Sequence, residues 1–201
     1  MGSSDLGDQA LLASVERSVR AQLGLEPARA SVTFLGVEPI EVLRFDLGDE
    51  RVHVSLGMCR RPMTGADASV VAADGPRAEL SITTKTATSH GASDGEDELW
   101  RRLAILAAAP TVEGVVYRDG MAVDLGEPLV SGSRCTGVLV TPSTLAPIRF
   151  ADVEVRILHL DPMTATELAW SRVHGTRALR GRWAEQRVDL LDLRRSAVSL
   201  G

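Results

Sequence analysis

The sequence predicts a single α/β (α+β) domain, in which a mixed, largely antiparallel β-sheet is flanked by helices. Residues 51–56 and 78–84 alternate apolar and polar side chains, and this period of two is typical of half-buried strands. Apolar residues recur at helical spacing over 9–23 and 96–109, which predicts two amphipathic helices. The extended runs are separated by turns as often as by helices, and this favours a mixed sheet over a regular strand–helix alternation.

Composition limits the classes of function. The chain has 201 residues, of which 44% are hydrophobic, so it can fill the core of one large domain. The net charge of −5 disfavours nucleic acid as a partner, because such binding relies on clustered Lys and Arg. No apolar run approaches the roughly 18 residues that span a bilayer, so no membrane contact is expected. Cys59 and Cys135 form no CxxC pair, and we interpret them as reduced thiols of a cytoplasmic protein.

The chain is predicted to consist of a short N-terminal tail and one domain. Residues 1–8 are predicted to be a disordered tail or a remnant of an expression tag, and they lack the layout of a signal peptide. The domain is predicted to span 9–201, and the apolar stripe of its first helix is expected to pack on the sheet. Gly24 is expected to end that helix, because glycine readily adopts the left-handed conformation of a helix C-terminus.

A β-hairpin is predicted over residues 40–56. Extended runs at 28–37 and 39–47 lead to Gly48-Asp49-Glu50, which has the composition of a tight turn. Gly57 follows the second strand of the hairpin. We expect the backbone to turn sharply there, because glycine has no Cβ.

The helix at 96–109 is the clearest helical segment. It follows a polar stretch, 86–95, that is predicted to be a mobile loop and in which Ser93 or Asp94 can cap the helix. Acidic residues crowd its first turn, where the helix dipole favours negative charge. Pro110 is expected to stop the helix, because proline lacks the N–H that the next turn needs.

The second half of the chain is predicted to add strands and one helix, for a total of about eight strands and three helices. Continuous apolar residues at 138–140 indicate a strand that is covered on both faces. Thr164 and Glu167 have capping-box spacing, which predicts a helix that runs to about Gly175. Further segments are a loop at 64–77, an extended region at 115–125 with a turn at Asp119-Gly120, and strands at 129–141, 152–160 and 187–193.

Histidines are the residues most able to carry catalysis in this sequence. His159 and Asp161 are predicted to lie at a strand end, where metal ligands and acid–base pairs are often found. His174 is a candidate third member of such a site, whereas His90 is expected to be exposed in a polar loop. The alternative is that His159 is a satisfied structural histidine, because a site needs several converging groups. The sequence contains no nucleophile elbow, no phosphate-binding glycine loop and no HExxH motif.

Six short stretches, in order over residues 30–197, resemble the motifs of the Suppressor of fused (SUFU) family in its single-domain bacterial form. The family motifs are a vSxxGls strand, an xEL strand, a helix, a GD-x(n)-PL segment, a plt-x-x-EL helix start and an itDxRR strand. The matching stretches are His53-Val-Ser-Leu-Gly-Met58, Ala78-Glu-Leu80, Glu98-Leu-Trp-Arg-Arg-Leu-Ala104, Arg118-Asp-Gly120 with Glu127-Pro-Leu129, Asp161-Pro-Met-Thr-Ala-Thr-Glu-Leu168 and Asp189-Leu-Leu-Asp-Leu-Arg-Arg195.

The resemblance implies a single domain with no catalytic activity and no cofactor, which binds a protein partner. Animal members add a second domain and hold a Gli-type transcription factor, whose peptide adds a strand. Bacterial members are associated with polymorphic-toxin loci, where they are proposed to be immunity proteins that bind and neutralise a toxin encoded nearby.

Three residues mark the place where a partner is expected to bind. In an alignment by hand, acidic positions that animal members use to hold the peptide fall on Met121 and Pro142, and a tyrosine falls on Leu106. The transcription-factor role is therefore not expected for this chain. A groove near these residues is the candidate partner site, and packing in the core is the alternative.

Three functions are open on the sequence. The first is a non-enzymatic protein-binding module of the immunity type, whose acidic surface suits a basic partner such as a nuclease toxin. The second is a hydrolase or metal-dependent enzyme that uses His159, Asp161 and His174. The third is a regulatory domain that self-associates through a sheet edge. No oligomeric state is predicted.

Overall fold

The fold is seen in a computed structural model that describes residues 3–34, 37–66, 75–86 and 94–201. Within these ranges the chain forms eight strands and four α-helices. In chain order they are α1 (Ser3–Leu23), β1 (Ala28–Phe34), β2 (Val37–Leu47), β3 (Glu50–Leu56), β4 (Arg77–Lys85), α2 (Asp94–Val112), β5 (Ala122–Asp124), β6 (Cys135–Pro142), β7 (Ile148–Phe150), β8 (Val153–Thr164), α3 (Ala165–His174) and α4 (Thr176–Glu185).

All eight strands belong to one mixed sheet. Its order is β1-β2-β3-β4-β8-β6-β5, and β7 pairs with the beginning of β8. The β4–β8 pair is parallel, and each of the other pairs is antiparallel. The predicted mixed and largely antiparallel sheet flanked by helices is therefore confirmed.

The predicted hairpin is formed by β2 and β3. Leu47 pairs with Glu50 across a two-residue turn, and Gly48 in that turn has a φ of 70°. Such a positive φ favours glycine, which explains the turn signal in the sequence. Gly57 has a φ of 137° just beyond β3, where the backbone leaves the sheet for a 3₁₀ turn at Met58–Arg60.

Helices cover both faces of the sheet. On one face the core forms around Leu103 of α2, which packs with Leu80 of β4 and Val138 of β6. On the opposite face α1 packs on β2, β3 and β8, and α3 and α4 pack on β6 and β8. The central strands are consequently enclosed from both sides, as predicted for 138–140. None of the helices among the described residues is long and apolar enough to cross a membrane.

The strands at 51–56 and 78–84 differ from the half-buried pair that their alternation predicts. Their polar residues His53, Ser55, Glu79 and Ser81 are each at most 1% exposed. Alternation misled the prediction because some of these polar groups are satisfied by one another instead of by water.

Both early helices are longer than predicted. α1 begins at Ser3, so residues 3–8, predicted as part of a disordered tail, are helical, and Met1 and Gly2 lie outside the described residues. Gly24 ends the helix with a φ of 68°, as predicted. Pro110 was predicted to stop α2, but it lies inside the last turn, and the helix continues to Val112. Ser93, one of its predicted caps, lies outside the described residues.

Two strand predictions in the second half were wrong. β6 begins at Cys135 instead of 129, because Val130 and Ser133 close a turn with a 2.9 Å backbone hydrogen bond. The segment 187–193 forms turns instead of a strand, since the carboxylates of Asp189 and Asp192 accept hydrogen bonds from the backbone two residues later. The sequence also missed α4 and the short strand β7, and within 115–125 only β5 is a strand.

Candidate functional site

Leu106, the first of the three predicted partner-site residues, lies in α2 and is 7% exposed. Its side chain belongs to the core between α2 and the sheet. Its backbone carbonyl accepts a 2.8 Å hydrogen bond from the hydroxyl of Tyr117, which is itself buried. Leu106 can therefore support a binding surface but does not offer its side chain to a partner.

Met121 and Pro142 lie close together at the end of β6. The N–H of Val140 donates a 2.8 Å hydrogen bond to the carbonyl of Met121, and the N–H of Gly120 donates one of 2.8 Å to Val140. These bonds hold residues 120–121 beside Val140 of β6, which lies two residues before Pro142. Met121 is half-buried against the core, whereas Pro142 is exposed.

Pro142 lines a cavity of about 480 Å³, which we call the sheet-gap groove. Its walls come from the start of β4, the segment 116–119, the segment 142–147 and β8. Leu106 and Met121 are not among its lining residues, but Tyr117, the hydrogen-bond partner of Leu106, is. Of the three predicted residues, only Pro142 lines the groove.

The sheet-gap groove lies where the sheet is interrupted. The pairing of β6 with β8 ends at Pro142 opposite Leu158, and that of β7 with β8 begins at Ile148 opposite Val155. Between these pairs, residues 156–157 of β8 have no strand partner on that side among the described residues. The segment 143–147 crosses the gap as a loop.

That loop is held in place by α1. The backbone N–H of Ala146 donates a 2.7 Å hydrogen bond to the side-chain oxygen of Gln22, and the Gln22 amide nitrogen lies 3.4 Å from the Ala146 carbonyl. Within the loop, the N–H of Leu145 donates to the hydroxyl of Ser143 at 3.1 Å. These contacts give the groove a fixed wall.

The floor of the sheet-gap groove is apolar. Ala78, Ile157 and Leu158 contribute to it and are each at most 9% exposed. A volume of about 480 Å³ falls within the range of protein pockets that hold ligands of moderate size. The groove can therefore accept one or two side chains of an extended peptide.

The second candidate site, His159 and Asp161, belongs to a row of polar groups on β4, β8 and β6. His159 Nδ1 lies 3.2 Å from the Ser81 hydroxyl, and the Thr141 hydroxyl donates a 2.9 Å hydrogen bond to Asp161. His159 Nε2 and Asp161 Oδ1 are 3.6 Å apart, beyond hydrogen-bond distance. Burial lowers the pKa of His159, and the neighbouring Asp161 charge opposes this shift.

This row has the residue types of a Ser–His–Asp relay but not its accessibility. Ser81 is 1% exposed, so a substrate carbonyl cannot reach its hydroxyl without rearrangement of the sheet. His174, the proposed third member, stacks on Trp170 at a ring distance of 4.1 Å near the end of α3. Its Nδ1 lies 3.1 Å from the Trp170 carbonyl. His90 lies outside the described residues.

The part of the chain that is described holds no group of three or more His, Cys, Asp or Glu side chains placed to bind a metal ion. Cys59 and Cys135 are free and buried. Desolvation raises the pKa of both thiols, for Cys135 to about 11. Neither is therefore an activated nucleophile.

Two buried glutamates connect stretches that are distant in sequence. Glu79 accepts hydrogen bonds from the Ser55 hydroxyl at 2.5 Å, from the Gly57 N–H at 2.7 Å and from the Cys59 N–H at 3.0 Å. This network fixes the exit of β3 into the 3₁₀ turn. It joins the stretch at 53–58 with Glu79, and both resemble strand motifs of the SUFU family.

The second glutamate, Glu167, completes the predicted capping box with Thr164 and also binds the end of the chain. Its carboxylate contacts Arg195 at 2.6 and 2.8 Å and accepts a 3.1 Å hydrogen bond from the Trp183 indole. The N–H of Val198 donates to it at 3.0 Å. The capping box predicted the first role of Glu167, whereas no local pattern predicted Arg195 as its partner.

Solved structures show which known folds this one resembles. A SUFU homologue from Neisseria gonorrhoeae has a TM-score of 0.68 and 19% identity, covering 94% of this chain and 97% of that one. Sufu in the Sufu–Fu complex has a TM-score of 0.60 and 13% identity, covering 90% and 84%. Drosophila Suppressor of Fused has a TM-score of 0.60 and 14% identity, covering 90% of this chain but 46% of that protein. At these identities the similarity shows the fold.

Sequence comparison gives the family. No curated protein sequence matches this chain. The family model described as Suppressor of fused protein (SUFU) matches residues 36–196, which is most of the chain and includes Glu79 and Glu167. This protein therefore belongs to the Suppressor of fused family.

Proposed function

We propose that this protein is a non-enzymatic binding module whose sheet-gap groove takes a segment of a partner polypeptide. The observation that carries the proposal is the interruption of the sheet between Pro142 and Ile148, beside an apolar cavity. There, residues 156–157 of β8 pair with β4 on one side and have no strand partner among the described residues on the other. Unpaired strand backbone next to a pocket is what peptide recognition by strand addition requires.

The family relationship supports a protein partner. One relative, Sufu, has been crystallised in a complex with the protein Fu. The potentially reactive groups of this chain favour the same view, since Ser81 is buried and His159 is held in a polar row of the sheet. An absence of catalysis is therefore part of the proposal.

We further propose that the partner is a toxin encoded nearby, and that this protein is the immunity protein that binds and neutralises it. This assignment follows from the resemblance to single-domain bacterial members of the family, which are proposed to be immunity proteins. An immunity protein needs a preformed surface and no reaction chemistry, and the loop at 143–147, anchored on Gln22, provides such a surface.

The experiment is a pull-down from the native host that compares two double variants with the wild type. Pro142→Asp with Val116→Asp places two carboxylates in the groove, because both residues line it. Pro128→Asp with Val173→Asp makes the same changes at exposed positions outside the groove. Thermal melts of all three proteins establish that they are folded.

We expect the wild type and the control variant to retain one protein encoded nearby, and the groove variant to lose it. Neutralisation is then measured by expressing that protein in a test host with each variant. Retention of the same partner by the groove variant would contradict the groove as binding site. Recovery of housekeeping proteins alone would contradict the immunity role.

The edge of the sheet gives a second candidate function, self-association. The outer side of β1 has no strand partner among the described residues, and its Ser31 is exposed. Light scattering tests this function: a dimer mass that Ser31→Pro reduces to one chain supports it, and a monomer mass for the wild type excludes it.

A further inference from the structure

We infer that the segment taken by the sheet-gap groove carries carboxylates beside apolar side chains, and that Arg118 and Arg156 bind those carboxylates. The inference rests on the proposed function and adds the chemistry of the partner segment. It assigns an acidic recognition element to the partner, although this chain itself has a net charge of −5.

Arg118 and Arg156 stand on two different walls of the groove. Arg118 belongs to the segment between α2 and β5, and Arg156 belongs to the stretch of β8 that pairs with β4 on one side and faces the gap on the other. Both are exposed, and neither forms an ion pair within the described ranges of the chain. Some other surface arginines are compensated, as Arg29 is by Glu16 and Glu41.

The remaining charges of the groove have partners of their own. Asp119 lies 3.6 Å from Arg180, which offsets its negative charge. Arg77 donates a 2.8 Å hydrogen bond to the carbonyl of Cys59, and it also donates to the carbonyl of Arg60. Three arginines against one aspartate leave the lining with a net charge of two positive.

Among the side chains of a peptide, this charge favours carboxylates over neutral groups. Buried apolar groups contribute to the floor of the same groove, and they offer a surface on which an apolar side chain can pack. A guanidinium can form two parallel hydrogen bonds with one carboxylate, which a neutral side chain cannot reproduce. A peptide with an apolar residue for the floor and acidic residues beside it matches both features.

Selection from a random peptide display library tests the inference. The immobilised wild-type protein is used for selection, and the enriched pool is sequenced. We expect Asp and Glu to be enriched next to large apolar residues. A fluorescein-labelled peptide from that pool is then titrated by anisotropy against wild type, against R118E/R156E and against R101E/R177E.

R101E/R177E is the matched control, because Arg101 and Arg177 are exposed, lie outside the groove and undergo the same change in charge. We expect each lost arginine contact to weaken binding by about tenfold, and R118E/R156E by about a hundredfold, while the control binds like wild type. The same peptide with Lys in place of its acidic residues is expected to bind R118E/R156E more tightly than wild type.

Three other outcomes would contradict the inference. Enrichment of peptides without acidic residues, or equal affinity for wild type and R118E/R156E, would overturn the inference and leave the proposed binding function standing. A selection that enriches no peptide at all would overturn both.

Discussion

The hydroxyl of Tyr117 donates a 2.8 Å hydrogen bond to the backbone carbonyl of Leu106. In a regular α-helix that carbonyl accepts from the N–H four residues later, but here the residue is Pro110, which has no N–H. Tyr117 therefore replaces the missing donor and allows α2 to continue to Val112. The same contact fixes the segment 116–119, which forms one wall of the sheet-gap groove.

The first prediction concerns this replacement. Tyr117→Phe keeps the ring but leaves the Leu106 carbonyl unsatisfied, so we expect a loss of about 1–3 kcal/mol in the free energy of unfolding. Urea denaturation measures the loss. In the Pro110→Ala background the new N–H can bond to Leu106, and the same substitution should cost clearly less. An equal cost in both backgrounds would show that Tyr117 does not act through this carbonyl.

The second prediction concerns the buried ion pair of Glu167 and Arg195. Arg195→Met leaves a fully buried carboxylate without its main partner, so we expect a destabilisation of about 3–5 kcal/mol. Guanidinium unfolding of this variant and of Glu167→Gln/Arg195→Met provides the comparison. The double variant should recover part of the loss, because the unpaired charge is removed. A double variant no more stable than Arg195→Met would contradict this explanation.

A third prediction follows from the pKa of Glu167. Burial alone would raise this pKa, but hydrogen bonds from Arg195 and from the Thr164 and Val198 backbone outweigh burial and lower it below the ordinary value of 4.5. A lowered pKa contributes stability that is present above pH 4.5 and is lost as the pH falls towards the folded-state pKa. Unfolding free energies measured from pH 6 downwards should therefore fall less in Glu167→Gln than in wild type. Parallel curves would exclude this contribution.

The fourth prediction concerns His53, which packs edge-on against Trp100 and has no hydrogen-bond partner for either ring nitrogen among the described residues. Desolvation, followed by the charges of Arg44 and Arg51, lowers its pKa from 6.5 to about 3. The unfolded chain binds this proton more readily, so stability is lost as the pH falls below 6.5.

His53→Phe keeps the aromatic contact and removes the titration. We expect the wild type to lose roughly 3–5 kcal/mol more than this variant between neutral and strongly acidic pH. Chemical denaturation across that pH range checks the difference, and His174→Phe, at an exposed position, is the control. A pH profile that His53→Phe leaves unchanged would show that this histidine is not buried in the neutral form.

Local sequence patterns predicted most of the helices and strands, whereas contacts between residues distant in sequence determined how they pack. The period of two located β3 and β4, but it could not show that Ser55 and Glu79 satisfy each other beneath covering helices. The helix α4 was missed because only Leu179 and Trp183 of its residues are buried, which leaves too little periodicity to detect.

The residues of the sheet-gap groove were harder to predict from the sequence than the helices and strands. Of the three partner-site residues predicted, only Pro142 lines it. Arg118 and Tyr117 come from an irregular segment, and the gap beside Arg156 arises from where two strand pairings end. Neither feature leaves a local signature in the sequence.

Hydrogen–deuterium exchange of the protein, alone and with the partner recovered from its host, tests the central claim most directly. If the sheet-gap groove holds the partner, amides of residues 116–119, 143–147 and 156–158 exchange more slowly in the complex. Unchanged exchange in those three segments, with protection confined to β1 or to another surface, would contradict the account.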